Sequence, residues 1–288
     1  MKAPTAVART APPRDGGLKS DGGKGTAPRP APPATRPPAP TNGNPVHDGP
    51  AVVSTHFIRS RIGKICVAIT GSTPADMMQN AEEIVRENHF VEFRLDYLAN
   101  PAAILPKLKQ FLYERGEVTA IATCRRAATG GKFKGTIPAE LEILEKAAQA
   151  GCHLIDIELQ TAEHTKPAQM KKLRSHGAAL IISYHDFEGT KDLDAIFDRI
   201  LPFQPEFVKI VATAKTLSDN VTMMRFLDRR RDEANIIGIS MGEQGTISRV
   251  LGLRAGSVFT FASAHAGEET GPGQIEARTL RETWRIDQ

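Results

Sequence analysis

From about residue 57 onward the chain alternates eight times between a short apolar run and an amphipathic segment, and this alternation leaves few folds open. The apolar runs are Ile65 to Ile69, Phe90 to Leu95, Val118 to Thr123, His153 to Leu159, Ala179 to Ser183, Phe207 to Ala212, Asn235 to Ser240 and Val258 to Ala262. The segments with helical spacing are Pro74 to Glu87, Pro101 to Arg115, Pro138 to Ala150, Ala162 to His176, Leu193 to Leu201, Leu217 to Arg231, Ile247 to Leu253 and Ile275 to Trp284. Several of these open on a proline, which costs nothing at a helix start because its missing N–H would be unpaired there anyway. Gly116, Gly151 and Gly177 are expected to close three of them in a left-handed cap. Eight strand-helix units in about 230 residues predict a (β/α)8 TIM barrel. The rival doubly wound sheet is disfavoured because no phosphate-binding glycine fingerprint is present. Val52 to Arg61 are expected to form a short hairpin plugging the barrel's lower end.

The run Glu206 to Ala212 carries one lysine among apolar residues. As a strand it directs Phe207, Lys209 and Val211 to one face and Val208, Ile210 and Ala212 to the other. Neither face is polar, which is the pattern of a strand buried on both sides, so Lys209 is expected inside. Desolvating an ammonium is costly, and a buried amine that gives up its proton is a nucleophile toward carbonyls. The alternative is a lysine that snorkels from the strand end to water.

The first 50 residues differ in kind. They hold 12 of the 20 prolines and no Phe, Tyr or Trp, so residues 1–55 are expected to be a disordered basic tail, with the barrel at 56–288. The tail has seven Lys/Arg against three Asp, a charge of +4, which is the formal charge of the whole chain. Subtraction leaves 37 − 7 = 30 basic and 33 − 3 = 30 acidic residues, a neutral domain, which weakens any argument for a basic nucleic-acid face. No apolar stretch suits a signal peptide or membrane span, and a cytoplasmic protein is expected. Cys66, Cys124 and Cys152 lack metal-type spacing and read as reduced core thiols, so neither a metal nor a disulfide is expected.

Barrel active sites gather at the carboxyl ends of the strands. There the chain places Glu92-Phe93-Arg94-Leu95-Asp96, Thr123-Cys124-Arg125, Ser183-Tyr184-His185-Asp186-Phe187 and Ser240-Met241-Gly242, followed by Arg249. The Glu92, Arg94 and Asp96 charges read either as an internal ion network or as contacts to a polar substrate. Arg249 is suited to a planar two-point grip on a carboxylate, the alternative being an exposed helix arginine. The Ala/Gly/Glu-rich stretch Ser263 to Gln274 has the composition of a mobile lid. A buried amine forms an imine with a ketone, and the imine acidifies the neighbouring C–H for a histidine to remove. These residues leave aldol cleavage, dehydration and isomerisation all open.

In this order on successive strands, the motifs resemble those of the type I 3-dehydroquinate dehydratases, joined by Val208-Lys209-Ile210, Gly130-Gly131, Ser248-Arg249 and Pro272-Gly273-Gln274. The resemblance runs from about Ile65 to Ile275. It implies a hydro-lyase that converts 3-dehydroquinate to 3-dehydroshikimate and water by syn elimination, the third step of the shikimate pathway toward chorismate and aromatic amino acids. It implies Lys209 as the imine former and His185 as the acid and base, which also assists in forming and hydrolysing the imine. Arg249 would bind the carboxylate, and Glu92, Arg94 and Arg125 the ring hydroxyls. Met241 and Phe261 would be apolar walls, and Thr270 and Gln274 lid contacts. No cofactor is implied; a homodimer is. The family commonly has a glutamate where this chain has Thr129, so the His185 imidazolium is expected to lose that stabilising neighbour and to have a lower pKa than in relatives that keep it. Thr270-Gly271-Pro272 replaces the usual Ser-Ala-Pro of the lid and keeps the hydroxyl. No appended shikimate dehydrogenase domain is expected after the eighth helix.

Two rivals stand beside this reading. An imine-forming aldolase acting on a sugar phosphate would use the Gly242 to Gly245 turn as its phosphate site. A catalytically idle barrel would serve as a scaffold, with the tail as its interaction element.

Overall fold

The computed structural model describes residues 55–287 and, from Ile58 onward, their side chains. The expected tail therefore lies outside the described residues, Thr55 excepted. In chain order come α1 (Thr55–Arg61), β1 (Ile65–Ile69), α2 (Pro74–Ile84), β2 (Phe90–Arg94), α3 (Leu105–Glu114), β3 (Thr119–Thr123) and α4 (Ile137–Gln149). They are followed by β4 (Leu154–Glu158), α5 (Leu159–Glu163), α6 (Pro167–Arg174), β5 (Ala179–Asp186), α7 (Leu193–Ile200), β6 (Phe207–Thr213) and α8 (Leu217–Arg230). The last are β7 (Ile236–Met241), α9 (Ser248–Ala255), β8 (Thr260–Ser263), β9 (Ile275–Glu276) and α10 (Ala277–Glu282).

All strand pairings are parallel, in the order β7-β6-β5-β4-β3-β2-β1-β8-β9. The sheet curls until its ends meet. No ladder joins β7 to β8, but the Val258 N–H donates to the Ile236 carbonyl (2.8 Å) and the Gly238 N–H to Ser257 Oγ (3.2 Å). The result is the expected (β/α)8 barrel, with its seam at β7 and β8.

Residue alternation along the strands divides the core in two. Phe207 and Val211 join Phe90, Ile121, Ile181, Ile239, Phe259 and Phe261 inside the barrel. Val208, Ile210 and Ala212 belong to the larger layer beneath the helices. Phe259 packs edge-on to Phe90 (centroids 4.8 Å apart) and near Phe207 (6.1 Å), which makes an aromatic floor. Ile58 of α1 is buried in that same inner layer. The plug expected from residues 52–61 is thus present across the described Thr55–Arg61, as a helix and not a hairpin.

Several boundaries differ for identifiable reasons. The segment expected as one helix from Ala162 to His176 is two, because Pro167 starts a new helix and cannot extend the old one. Residues Pro101–Ile104 form a tight 3-10 turn before α3. Ile275 and Glu276 pair with Ala262 and Ser263 as β9, so the last helix starts only at Ala277. Gly151 and Gly177 are left-handed, at φ 100° and 83°, but Gly116 is not; α3 instead ends at Arg115 in an ordinary negative-φ conformation.

His153, at the start of β4, accepts the Ala120 N–H through Nδ1 (3.3 Å). Burial, reinforced by the Arg61 charge, lowers its pKa from 6.5 to about 4. A folded-state pKa below the unfolded one means that the unfolded chain binds the extra proton between these values, so stability falls as pH drops from 6.5 through 4. His153→Asn should reduce that acid-side loss by an amount on the order of 3 kcal/mol. Urea unfolding of both proteins at pH 7 and pH 4 measures it; equal losses would contradict the assignment.

Candidate active site

The register of the parallel strands places Glu158, Ser183 and Lys209 side by side on β4, β5 and β6. Side chains at paired positions of neighbouring parallel strands share a face, so all three point into the barrel above the aromatic floor. Asp156 stands two residues before Glu158 on the same face. Lys209 Nζ donates to Asp156 Oδ2 at 2.9 Å, lies 4.0 Å from Glu92 Oε1, and sits 4.0 Å above the centre of the Phe261 ring. The lysine is 4% exposed, so the expected burial holds and the snorkelling alternative does not.

A buried cation is tolerable only where it is paired, and here the pairing is dense. Arg125 NH2 reaches Asp156 (3.2 and 3.3 Å) and Ser183 Oγ (3.3 Å), while its Nε lies 3.4 Å from Glu158 Oε2. Ser183 Oγ is 2.5 Å from Asp156 Oδ1 and 3.0 Å from Glu158 Oε2; its single hydrogen serves one of them at a time. Thr123 donates to Glu92 at 2.7 Å. Arg94 makes a two-point contact with Asp96 at 2.9 and 2.8 Å. Burial alone would push the Asp156 carboxyl up. Lys209 and Arg125, with hydrogen bonds from Lys209 and Ser183, outweigh it and hold this group below the usual carboxylate range.

His185 stands two residues beyond Ser183 at the end of β5. Its Nδ1 is 2.9 Å from Glu158 Oε2, and its backbone N–H donates to Glu158 Oε1 at 3.1 Å. The carboxylate thus fixes the ring by two contacts and leaves Nε2 free for the cavity. Burial, then Arg125, lowers the imidazole to about 4 against the opposing pull of Glu158, so the ring is neutral near pH 7. With threonine at residue 129, the carboxylate beside His185 is that of Glu158 on the adjacent strand.

Arg249, on α9, is 4% exposed and contacts no carboxylate among the described residues. Its Nε donates to the Gly273 carbonyl (2.7 Å), NH1 to that of Phe261 (3.1 Å) and NH2 to that of Pro272 (3.3 Å). Burial without a counter-ion lowers its pKa to about 10. A guanidinium has five N–H donors, so two remain for an anion.

The stretch expected as a mobile lid is fastened at its tip. Pro272 accepts from the Gly242 N–H (3.2 Å) as well as from Arg249, and Gln274 Oε1 accepts from the Thr270 N–H (2.7 Å) and hydroxyl (3.2 Å). Gly273, at φ 72°, approaches the Gly242 carbonyl so closely that a Cβ there would lie 2.3 Å from its oxygen. Of this loop, His265 to Glu269 and Pro272 are exposed. The same contacts bear on the phosphate-site rival, since the N–H groups of Gly242 and Gly245 are already bonded to Pro272 and Gly242 carbonyls.

All ten residues expected at the site, Glu92, Arg94, Arg125, His185, Lys209, Met241, Arg249, Phe261, Thr270 and Gln274, line one cavity of about 650 Å³ including its open mouth. Sequence reasoning missed Asp156 and Glu158, although they carry the same signal as Glu92 and Arg94: charges at alternate positions of an otherwise apolar run, Leu154-Ile155-Asp156-Ile157-Glu158. It also missed Ser183 as their shared partner and Phe187 as a wall. Among the described residues no group of His, Cys, Asp and Glu is arranged to hold a metal ion.

The type I 3-dehydroquinase family profile matches residues 65–288. A 3-dehydroquinate dehydratase of Coxiella burnetii is 32% identical over 225 residues, covering 77% of this chain and 92% of the relative. That of Dehalococcoides mccartyi is 32% identical over 231 residues, covering 78% and 96%. The crystal structure of a type I 3-dehydroquinate dehydratase from Clostridium difficile, with covalently modified comenic acid, superposes with a TM-score of 0.68 at 25% identity, covering 77% of this chain and 91% of that one.

Proposed function

Since the chain belongs to the type I 3-dehydroquinase family, we propose that Lys209, His185 and Arg249 carry its reaction, the dehydration of 3-dehydroquinate to 3-dehydroshikimate, through an imine on Lys209. The observation that supports these roles most directly is the meeting of a buried, acid-paired lysine and a neutral, carboxylate-anchored histidine in one cavity.

Arg249 takes the substrate carboxylate with its two remaining donors, which sets the ring over Lys209, with Phe261 as an apolar wall beside it. Lys209 gives up a proton and attacks the C3 ketone; that proton goes to the carbinolamine hydroxyl, which leaves as water, and a protonated imine remains. The acids that paired the ammonium then face the iminium. His185 Nε2 removes the C2 proton, and the developing imidazolium is stabilised by Glu158 at Nδ1. The same proton returns to the C1 hydroxyl, which leaves as water. Hydrolysis of the product imine restores Lys209. Glu92, Arg94 and Arg125 hold the ring hydroxyls, Met241 forms an apolar wall, and Thr270 and Gln274 cover the substrate from the lid.

No helix among the described residues is long and apolar enough to cross a membrane. This reading includes action in the cytoplasm as a homodimer. It is tested by adding 3-dehydroquinate and following the ultraviolet absorbance of the conjugated enone product. Turnover of a sugar phosphate with none of 3-dehydroquinate would replace it with the aldolase reading.

Arg249→Lys keeps the charge but loses the fork. It should raise KM about 10- to 100-fold with a smaller effect on kcat, the size of one or two charge-assisted hydrogen bonds. Steady-state kinetics distinguishes this from an equal fall in kcat at unchanged KM, which would place Arg249 outside carboxylate binding.

A further inference from the structure

Two cavities meet at His185. The second, about 780 Å³ including its open mouth, shares His185 and Phe187 with the first and adds Glu158, Ala128, Thr129 and Tyr184; Lys209 does not line it. The rings of His185 and Phe187, which line both, have centroids 6.2 Å apart at 20°. Phe187 seats against Gly130 so closely that a Cβ there would lie 2.1 Å from the ring tip, and it is itself 51% exposed. The wall on the side of the loop after β3 is made of the small residues Ala128 and Thr129. The rim carries the Arg199 and Glu163 ion pair (2.7 Å), so the opening is polar.

We propose that this side cavity is a water port, through which the water that hydrolyses the product imine reaches the His185 imidazole while substrate or product fills the main cavity. The inference rests on the imine reading above. Its physical motive is congestion: the main mouth is bounded by Thr270, Gly271, Pro272 and Gln274, and the lid tip is strapped down by Arg249 and Gly242. A ring seated there blocks the direct path to C3. Water entering beside Phe187 meets the one base that both cavities touch.

The step balances. His185 removes a proton from the incoming water as its oxygen bonds to the imine carbon, giving a carbinolamine. That proton then passes to the nitrogen, the carbon–nitrogen bond breaks, the carbinolamine hydroxyl proton follows to nitrogen, and a ketone and the Lys209 ammonium result. One water is consumed per imine.

Ala128→Phe and, separately, Thr129→Phe fill the port at positions that touch neither Lys209 nor the main cavity. Ala128→Ser, small and polar, leaves it open. In the full-length enzyme with 3-dehydroquinate, rapid mixing followed by borohydride and intact mass measurement gives the fraction held as imine; stopped-flow absorbance gives the first-turnover rate. The plugged variants should show a first-turnover rate within about twofold of native, steady-state turnover reduced roughly tenfold, and a product-sized adduct that accumulates; Ala128→Ser should behave as native. Unchanged turnover and adduct in both plugged variants would overturn the port, as would equal loss of the first-turnover and steady-state rates. An absence of adduct on the native protein would overturn the imine reading itself, a separate result.

Discussion

Asp156→Asn should lower stability by about 3–5 kcal/mol, because it strips the shared counter-ion from two buried cations. Lys209 Nζ at 2.9 Å and Arg125 NH2 at 3.2 Å both depend on that carboxylate, and Ser183 lies 2.5 Å from it. Asparagine keeps the size and one acceptor oxygen, but it cancels no charge. For a domain of this length the loss corresponds to roughly 6–20 °C in Tm. The cost should be non-additive with Arg125: Asp156→Asn with Arg125→Met should lose clearly less than the sum of the two single changes, since the second removes a cation that the first had orphaned. Thermal and urea unfolding of the four proteins measure this. A Tm for Asp156→Asn within about 2 °C of native, or strictly additive losses, would mean that the cluster is solvated enough not to need its central acid.

His185→Ala should separate the two halves of the chemistry. Removing the imidazole deletes the proton acceptor for C2 and the donor to the leaving hydroxyl, so turnover should fall by about 10²- to 10⁴-fold, the usual reach of a positioned acid-base group. Lys209 and its partners Asp156 and Glu92 are untouched, and the imine can still form. Borohydride should therefore trap the variant mainly with substrate mass, not product mass. A variant that turns over at near-native rate, or that forms no adduct while Lys209 is intact and the protein folded, would contradict the division of labour between the two side chains.

The sequence was informative where burial and periodicity agree. The run Ile65 to Ile69 is a strand to the residue, and the alternation of Phe207, Lys209 and Val211 against Val208, Ile210 and Ala212 is realised as barrel interior against helix layer. All ten residues placed at the site line one cavity because barrel topology brings strand ends together whatever their separation in the chain. What the sequence withheld depends on register. That Glu158 meets His185, and Asp156 meets Lys209, follows from the offset between β4, β5 and β6, which no single strand encodes. The same holds for the lid: its composition suggested mobility, whereas the Arg249 strap depends on three carbonyls whose positions only the fold defines. Helix ends were misjudged where proline could either start a helix or break one, as at Pro167.

The measurement that bears most directly on the account is intact mass after borohydride reduction with 3-dehydroquinate, for the native chain and for Lys209→Ala. The account predicts a single adduct of substrate or product mass on the native protein and none on the variant, whose turnover should fall by roughly 10⁴-fold or more. An unmodified native protein, folded and treated with active borohydride, or an adduct that persists without Lys209, would contradict it.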